Sequence, residues 1–301
     1  MSSPLVLSPA ESLVLLDTAG STGREALKIT LMSLMAQGVV AIEQRAKKGL
    51  FGTSKTAALR RARDLAPGAP AHESIVADMV RWTELEGGEM KTLAGHARKA
   101  FGDKLERYKS AQVLPALLRR GLVREDSARS LLFFTRKTWP LTPAGDMQKI
   151  HLQGLLQQAR RLPELLHSDP AAATAIVLAA GGSLLLASEL APYYGQFAAL
   201  RRSHAAGDPN SGGTYGDSGG THHQRQHDGT PGDGAAAAGP QMDALGDGDF
   251  DFSGLDGDAL ASFEDGMSSL DASFDSSFGD SSSSDSGGSD SGGGDSGGGG
   301  D

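Results

Sequence analysis

The chain has 301 residues, no cysteine and a formal net charge of −9. The lack of cysteine excludes disulfides, thiol catalysis and cysteine-ligated zinc, and fits a reducing compartment. Charge is split along the chain: up to Ala206 there are 27 Lys and Arg against 18 Asp and Glu, whereas from Gly207 onward Arg225 alone faces 19 acids.

The N-terminal MSSPLVLSPAE has neither a basic leader nor a long apolar run, so no signal peptide is expected and a cytoplasmic location is, with membrane association as the alternative. Ser8, Pro9 and Glu11 form a capping-box pattern that opens a helix to about Asp17. A second helix is predicted over 24–37, then a strand over 39–44, with the Lys-, Arg- and Gly-rich 45–63 as a flexible wing. These elements form a winged-helix-like unit over 1–66. APGAP at 66–70 reads as a linker.

A second such unit is expected over 71–145. Its helices are predicted at 71–86, 89–101 and 103–120. Gly121 ends the last of them as a residue that tolerates positive φ. Leu122 and Val123 open a strand, and 131–135 with 139–141 return it. The two units repeat one another: Leu31, Leu34, Gly38, Val39 and Val40 recur 83 residues later as Leu114, Leu117, Gly121, Leu122 and Val123. Upstream, Pro9, Glu11 and Ser12 are echoed by Pro70, Glu73 and Ser74.

Two further helices, 144–166 and about 170–202, form a C-terminal helical block over 146–204. The uncharged stretch 171–188 carries Gly181, Gly182, Ser183 and Thr174 and is at the short limit for a bilayer span, so it reads as a buried helix or hairpin. From 207 to 301 Gly, Ser and Asp dominate, the composition of a disordered acidic tail. The fold class that follows is mostly α: tandem winged-helix-like units with short β-hairpins, a helical pair and a long disordered tail.

The order of these elements, the LxxLxxxGLV entry into the strand and the aromatic-then-LTxxG exit resemble the cytoplasmic region of uncharacterised predicted bacterial membrane proteins with Gly/Ser-rich tails. A weaker resemblance, to the Golgi phosphoprotein family, rests on Arg119-Arg120-Gly121-Leu122-Val123 followed by 133–140. That family implies binding of a phosphoinositide headgroup at a membrane surface. No site residue carries over from either.

No GxSxG, P-loop, GxGxxG after a strand or HExxH motif is present, so no catalytic residue and no cofactor is expected. His222, His223 and His227 lie in low-complexity sequence and read as incidental linker rather than a metal site. Anion contacts are expected from Arg107, Arg119, Arg120, Arg124, Arg129, Arg136 and Lys137, with Lys104 and Lys109 nearby. On a winged helix such residues would meet DNA phosphates, although protein-binding winged helices share the pattern. In the tail, Leu260, Phe263, Met267, Leu270, Phe274 and Phe278 recur at intervals of three and four. If helical, they present one apolar face opposite Asp, Glu and Ser, the kind of segment that folds into a partner's groove. The function read from the sequence is therefore a non-catalytic adaptor with a protein partner. DNA or an anionic membrane surface are the alternative partners, and no small-molecule substrate is evident.

Overall fold

The structure, a computed structural model, describes residues 5–49, 52–130, 134–207, 250, 252, 254–255 and 257–275. It is mostly helical, with two antiparallel two-stranded hairpins.

Helix α1 spans Pro9–Leu16 and α2 spans Gly23–Ala36. Ser8 closes α1 by the expected capping box, its Oγ accepting from the Glu11 N–H while its own N–H donates to Glu11 Oε2 at 2.9 Å. Thr22 and Glu25 form an equivalent box on α2. Beyond Gly38 the chain forms β1 (Val40–Gly49) and β2 (Gly52–Arg61), paired from Val40↔Arg61 to Gly49↔Gly52. The expectation of a short strand followed by a flexible wing is thus corrected. Each strand supplies the backbone partners of the other, and that pairing outweighs a Lys- and Gly-rich composition.

In the second unit, α3 (Ala71–Leu85) and α4 (Met90–Phe101) lead to α5 (Glu106–Tyr108), a π-helical stretch (Lys109–Val113) and α6 (Leu114–Arg119), all running on as one helix. The wide turns precede Pro115, which has no N–H to continue the ordinary ladder. Strands β3 (Asp126–Ser130) and β4 (Phe134–Thr138) form the second hairpin. The expected strand entry at Leu122–Val123 is only an isolated bridge, Val123↔Leu141.

The repeat recurs in the hydrogen bonds. Gly38 (φ +67°) donates to Met35 O and Val39 to Leu34 O, both at 2.8 Å. Gly121 (φ +69°) donates to Leu118 O at 2.9 Å and Leu122 to Leu117 O at 3.0 Å. Both helices end in the same glycine-centred reversal, which satisfies carbonyls the helix leaves open.

The single helix expected over 144–166 is two, α7 (Pro143–Ala159) and α8 (Leu162–Ser168). Pro163 lies at the first turn of α8, where it starts a helix but cannot continue one. The helix expected over 170–202 is likewise divided into α9 (Pro170–Ala180), 3₁₀ turns over Gly181–Leu186 and Ser188–Tyr193, and α10 (Tyr194–Gly207). Gly181, at φ +49°, breaks the ladder, and Pro192 lies in the second set of turns. Among the described residues no helix is long and apolar enough to cross a membrane.

One core joins all of these blocks, from Val14, Leu31 and Val80 to Leu117, Val177 and Tyr194. It includes part of the tail. Residues 257–275 form helix α11 (Gly257–Asp275), and Phe252, Leu255, Phe263 and Met267 are buried in the common core. The domain expectation of a disordered tail throughout 207–301 is therefore corrected for this segment. Its apolar spacing buries enough surface against the body to hold a helix despite Gly266 and several serines.

Candidate interaction site

The described part of the C-terminal segment lies in a groove on the body. Its floor is the end of α2, the 3₁₀ turns and the first half of α10, and its side is α4 with the root of the β1–β2 hairpin. Phe252 anchors the segment. Its ring stacks on Tyr194 at 5.6 Å and meets Phe197 edge-on at 6.1 Å, and its N–H donates to the Ala36 carbonyl at 3.1 Å. That carbonyl lies in the last turn of α2, where the helix has no donor of its own. The tail thus helps to cap a helix of the body.

Three glycines let the segment sit this close. A Cβ on Gly254 would lie 2.0 Å from the Met35 carbonyl oxygen, and one on Gly266 would lie 2.9 Å from Met90 Cε. A Cβ on Gly182 would strike the Phe250 ring at 2.5 Å. Phe252 itself sits at φ +57°, a conformation a bulky residue adopts only when its surroundings fix it. Polar contacts complete the fit: Gln44 Nε2 donates to Ser262 Oγ at 2.9 Å, and Arg24 pairs with Asp271 at 3.4 Å.

Of the tail residues expected to bind a partner, Phe263 and Met267 are buried against this chain's own body, and Leu260 is partly buried there. Leu270 and Phe274 belong to α11 but their side chains lie outside the described residues, as does Phe278 altogether. The helical-period pattern found α11 but not its strongest anchors. Phe250, Phe252 and Leu255 precede the helix and so stand outside its period. The signal was the Phe-x-Phe pair itself, large aromatics in a stretch otherwise made of Gly, Ser and Asp.

Of the expected anion-contact residues, Arg120, Arg124 and Lys137 pair with carboxylates of this chain. Arg120 reaches inward to Glu11, 3.3 Å away, and donates to the Val6 carbonyl at 2.7 Å. Arg124 pairs with Asp126 at 3.3 Å and Lys137 with Glu125 at 2.6 Å. Arg107 and Arg119 are exposed. Arg129 and Arg136 stand on β3 and β4, and their side chains are outside the described residues. Lys109, read as part of the basic surface, is instead buried and donates to the Ser21 carbonyl. Burial lowers its pKa, and Glu106, Asp17 and Glu25 act in the opposite sense.

Between the two units lies a buried polar network. Ser8 Oγ is 2.9 Å from His72 Nε2, and Glu73 accepts from Ser33 Oγ at 3.0 Å and from Gln37 Nε2 at 3.3 Å. Tyr108 and Thr30 share a hydrogen bond at 2.7 Å. Burial, with Arg120 and Arg119 adding to it, lowers the His72 pKa to about 4, so the ring is neutral at pH 7. Burial raises the pKa of Glu11 and of Glu73 against their hydrogen bonds, and for Glu11 also against Arg120. The Ser8–His72 pair resembles a nucleophile and its base, but both side chains are buried. Ser8 Oγ is already used as a helix cap. The network ties the start of α1 and the length of α2 to α3 and α5.

Among the described residues no group of three or more His, Asp or Glu could hold a metal ion, and His222, His223 and His227 lie outside them. No protein-family model matches the chain, and no curated protein matches it.

Proposed function

We propose that this protein is a non-catalytic interaction module whose groove receives acidic, aromatic-anchored helical segments, with its own C-terminal segment as the resident occupant. One observation carries the reading: Phe252 is fully buried, hydrogen-bonded through its backbone to α2 and stacked on Tyr194. A tail that only kept the chain soluble would have no use for a fitted socket. Covalent attachment gives the resident segment an effective concentration on the order of millimolar, so a partner competes only if it binds more tightly or if the segment is weakened. The chemistry of a competing partner is set by the present occupant: an aromatic anchor, a glycine where the backbone meets Met35, and an acidic outer face. The two families the sequence resembles would both place such an adaptor on the cytoplasmic side of a membrane. DNA or anionic lipid as the partner draws less support, since Arg120, Arg124 and Lys137 already neutralise carboxylates of this chain.

The test uses the full chain and a fluorescent peptide of residues 248–278. Wild type should bind the peptide weakly, because its groove is filled. The Phe252→Ala, Phe263→Ala double variant should bind it at least tenfold more tightly, and a peptide carrying the same two changes should bind neither protein. Failure of the double variant to bind the wild-type peptide would refute the reading.

A further inference from the structure

The seat of α11 leaves a cavity beside it. A pocket of about 330 Å³ opens between α1, α2, the 3₁₀ turns and α11. Its walls are mainly apolar, with Leu13, Ile29, Met32 and Leu186 from the body and Leu260 and Phe263 from the tail helix. This volume lies at the lower end of the range for small-molecule sites, and such sites combine an apolar wall with a few polar groups that orient the ligand. Here the polar groups are Glu25, Lys28, Ser188 and Glu264. Glu25 Oε2 already accepts from the Thr22 N–H at 2.8 Å and from its hydroxyl at 3.0 Å, so it stays in place as a fixed negative charge.

Two carboxylates and one ammonium decide the head group. A carboxylate head would gain Lys28 but face both glutamates. A cationic head would gain the glutamates but face Lys28. An uncharged head that both donates and accepts meets every one of these groups without repulsion. We propose that this pocket binds a medium-chain aliphatic amide, or an uncharged amphiphile of the same kind, and that its occupancy tightens the docking of α11. The inference rests on the docking described above, because Leu260 and Phe263 are both a wall of the pocket and part of the docked face. A ligand that touches both surfaces favours the closed arrangement by its differential affinity for it.

Octanamide is the probe, titrated into the full chain by calorimetry alongside octanoate and octylammonium, which keep the chain length and change only the charge. Amide hydrogen exchange of α11 is followed with and without octanamide. Octanamide should bind with one-to-one stoichiometry, more tightly than either charged probe, and should slow exchange in α11. Two pocket-filling variants, Ala191→Leu and Leu186→Trp, should each weaken binding by about tenfold or more through overpacking while α11 stays protected without ligand. Absence of octanamide binding at millimolar concentration would overturn the proposal. So would tighter binding of a charged probe, equal binding by both filled variants, or binding that leaves α11 exchange unchanged. Slow α11 exchange in the unliganded wild type shows that the helix is docked, so a missing octanamide signal then removes the ligand site alone. Fast exchange there removes the docking itself, and this inference with it.

Discussion

The two units hand a helix over to a hairpin by the same local device, yet different parts of the chain cover the two hand-overs. At Gly121 the cover is local: Thr142 Oγ1 donates to the Gly121 carbonyl at 2.6 Å, the Thr142 N–H donates to Leu122 O at 3.0 Å, and α7 lies so near that a Cβ on Gly145 would fall 1.9 Å from Leu122 O. At Gly38 the cover comes from the far end of the chain, with Phe252 on the Ala36 carbonyl and Gly254 over Met35. At the equivalent position both places close alike, the Val39 carbonyl accepting from the Ala62 N–H at 2.8 Å as Leu122 does from Thr142. The difference lies at the end of α2, where the far end of the chain covers Met35 and Ala36. The cover at Gly121 should therefore melt with the body, whereas the cover at Gly38 should be released without unfolding it.

The sharpest way to test this difference is Phe252→Ala. Removing a buried aromatic costs about 3–5 kcal/mol. That loss should fall on docking, so α11 should lose its hydrogen-exchange protection while the melting of the body changes much less. Melting of the body and exchange of α11 that shift together would show that the tail is part of one cooperative fold.

The contact between the units should respond to pH through His72. Its pKa is about 4 in the folded chain against 6.5 in the unfolded one. The unfolded chain therefore takes up a proton between these values that the folded chain refuses. The stability is whole above pH 6.5 and falls as the pH drops towards 4, by on the order of 3 kcal/mol. Glu11 and Glu73 have the opposite sign: their raised pKa values favour the folded state as pH falls, and that gain is lost as pH rises through them. His72→Gln removes only the histidine contribution. The stability difference between variant and wild type should therefore shift by that amount between pH 7.5 and pH 4 in denaturant titrations. A difference independent of pH would show that His72 does not carry it.

Next in size is a matched pair of glycine changes. Gly145→Ala and Gly254→Ala each push a methyl into a backbone carbonyl, a strain of about 1–3 kcal/mol. Gly145→Ala should lower the melting temperature of the body, whereas Gly254→Ala should release the tail and leave that temperature nearly unchanged. Equal effects on the body would erase the distinction between the two covers. The glycines at the hand-overs themselves should instead behave alike. Gly38 and Gly121 share a φ near +68°, and a Cβ on either meets nothing closer than 3.7 Å, so alanine should cost only the conformational penalty of about 1 kcal/mol at each. Unequal costs in denaturant titrations would break the repeat. The smallest effect belongs to the half-exposed Arg24–Asp271 pair: Asp271→Asn should weaken docking by no more than about 0.5 kcal/mol, and less at high salt, as read from α11 exchange.

Local chemistry was legible in the sequence because local rules decide it. The Ser8 cap with Glu11, the glycine stops at Gly38 and Gly121, the helical class and the apolar stripe of Leu260, Phe263 and Met267 all depend on residues within a turn or two of one another. The breaks at Gly181 and Pro163 were also written there, the first concealed by the uncharged run over 171–188 and the second by the leucines on either side of it. What the sequence could not supply was the destination of each side chain. Arg120 looks like a surface cation until Glu11, from a helix more than a hundred residues earlier, is brought to 3.3 Å. Lys109 looks solvated until the Ser21 carbonyl meets it. The tail helix looks like a hook for another protein until Met90, Tyr194 and the end of α2 form its socket. Periodicity fixes which face of an element is apolar, because it depends on backbone geometry alone. Which surface that face covers depends on long-range closure, and only the tertiary structure decides it.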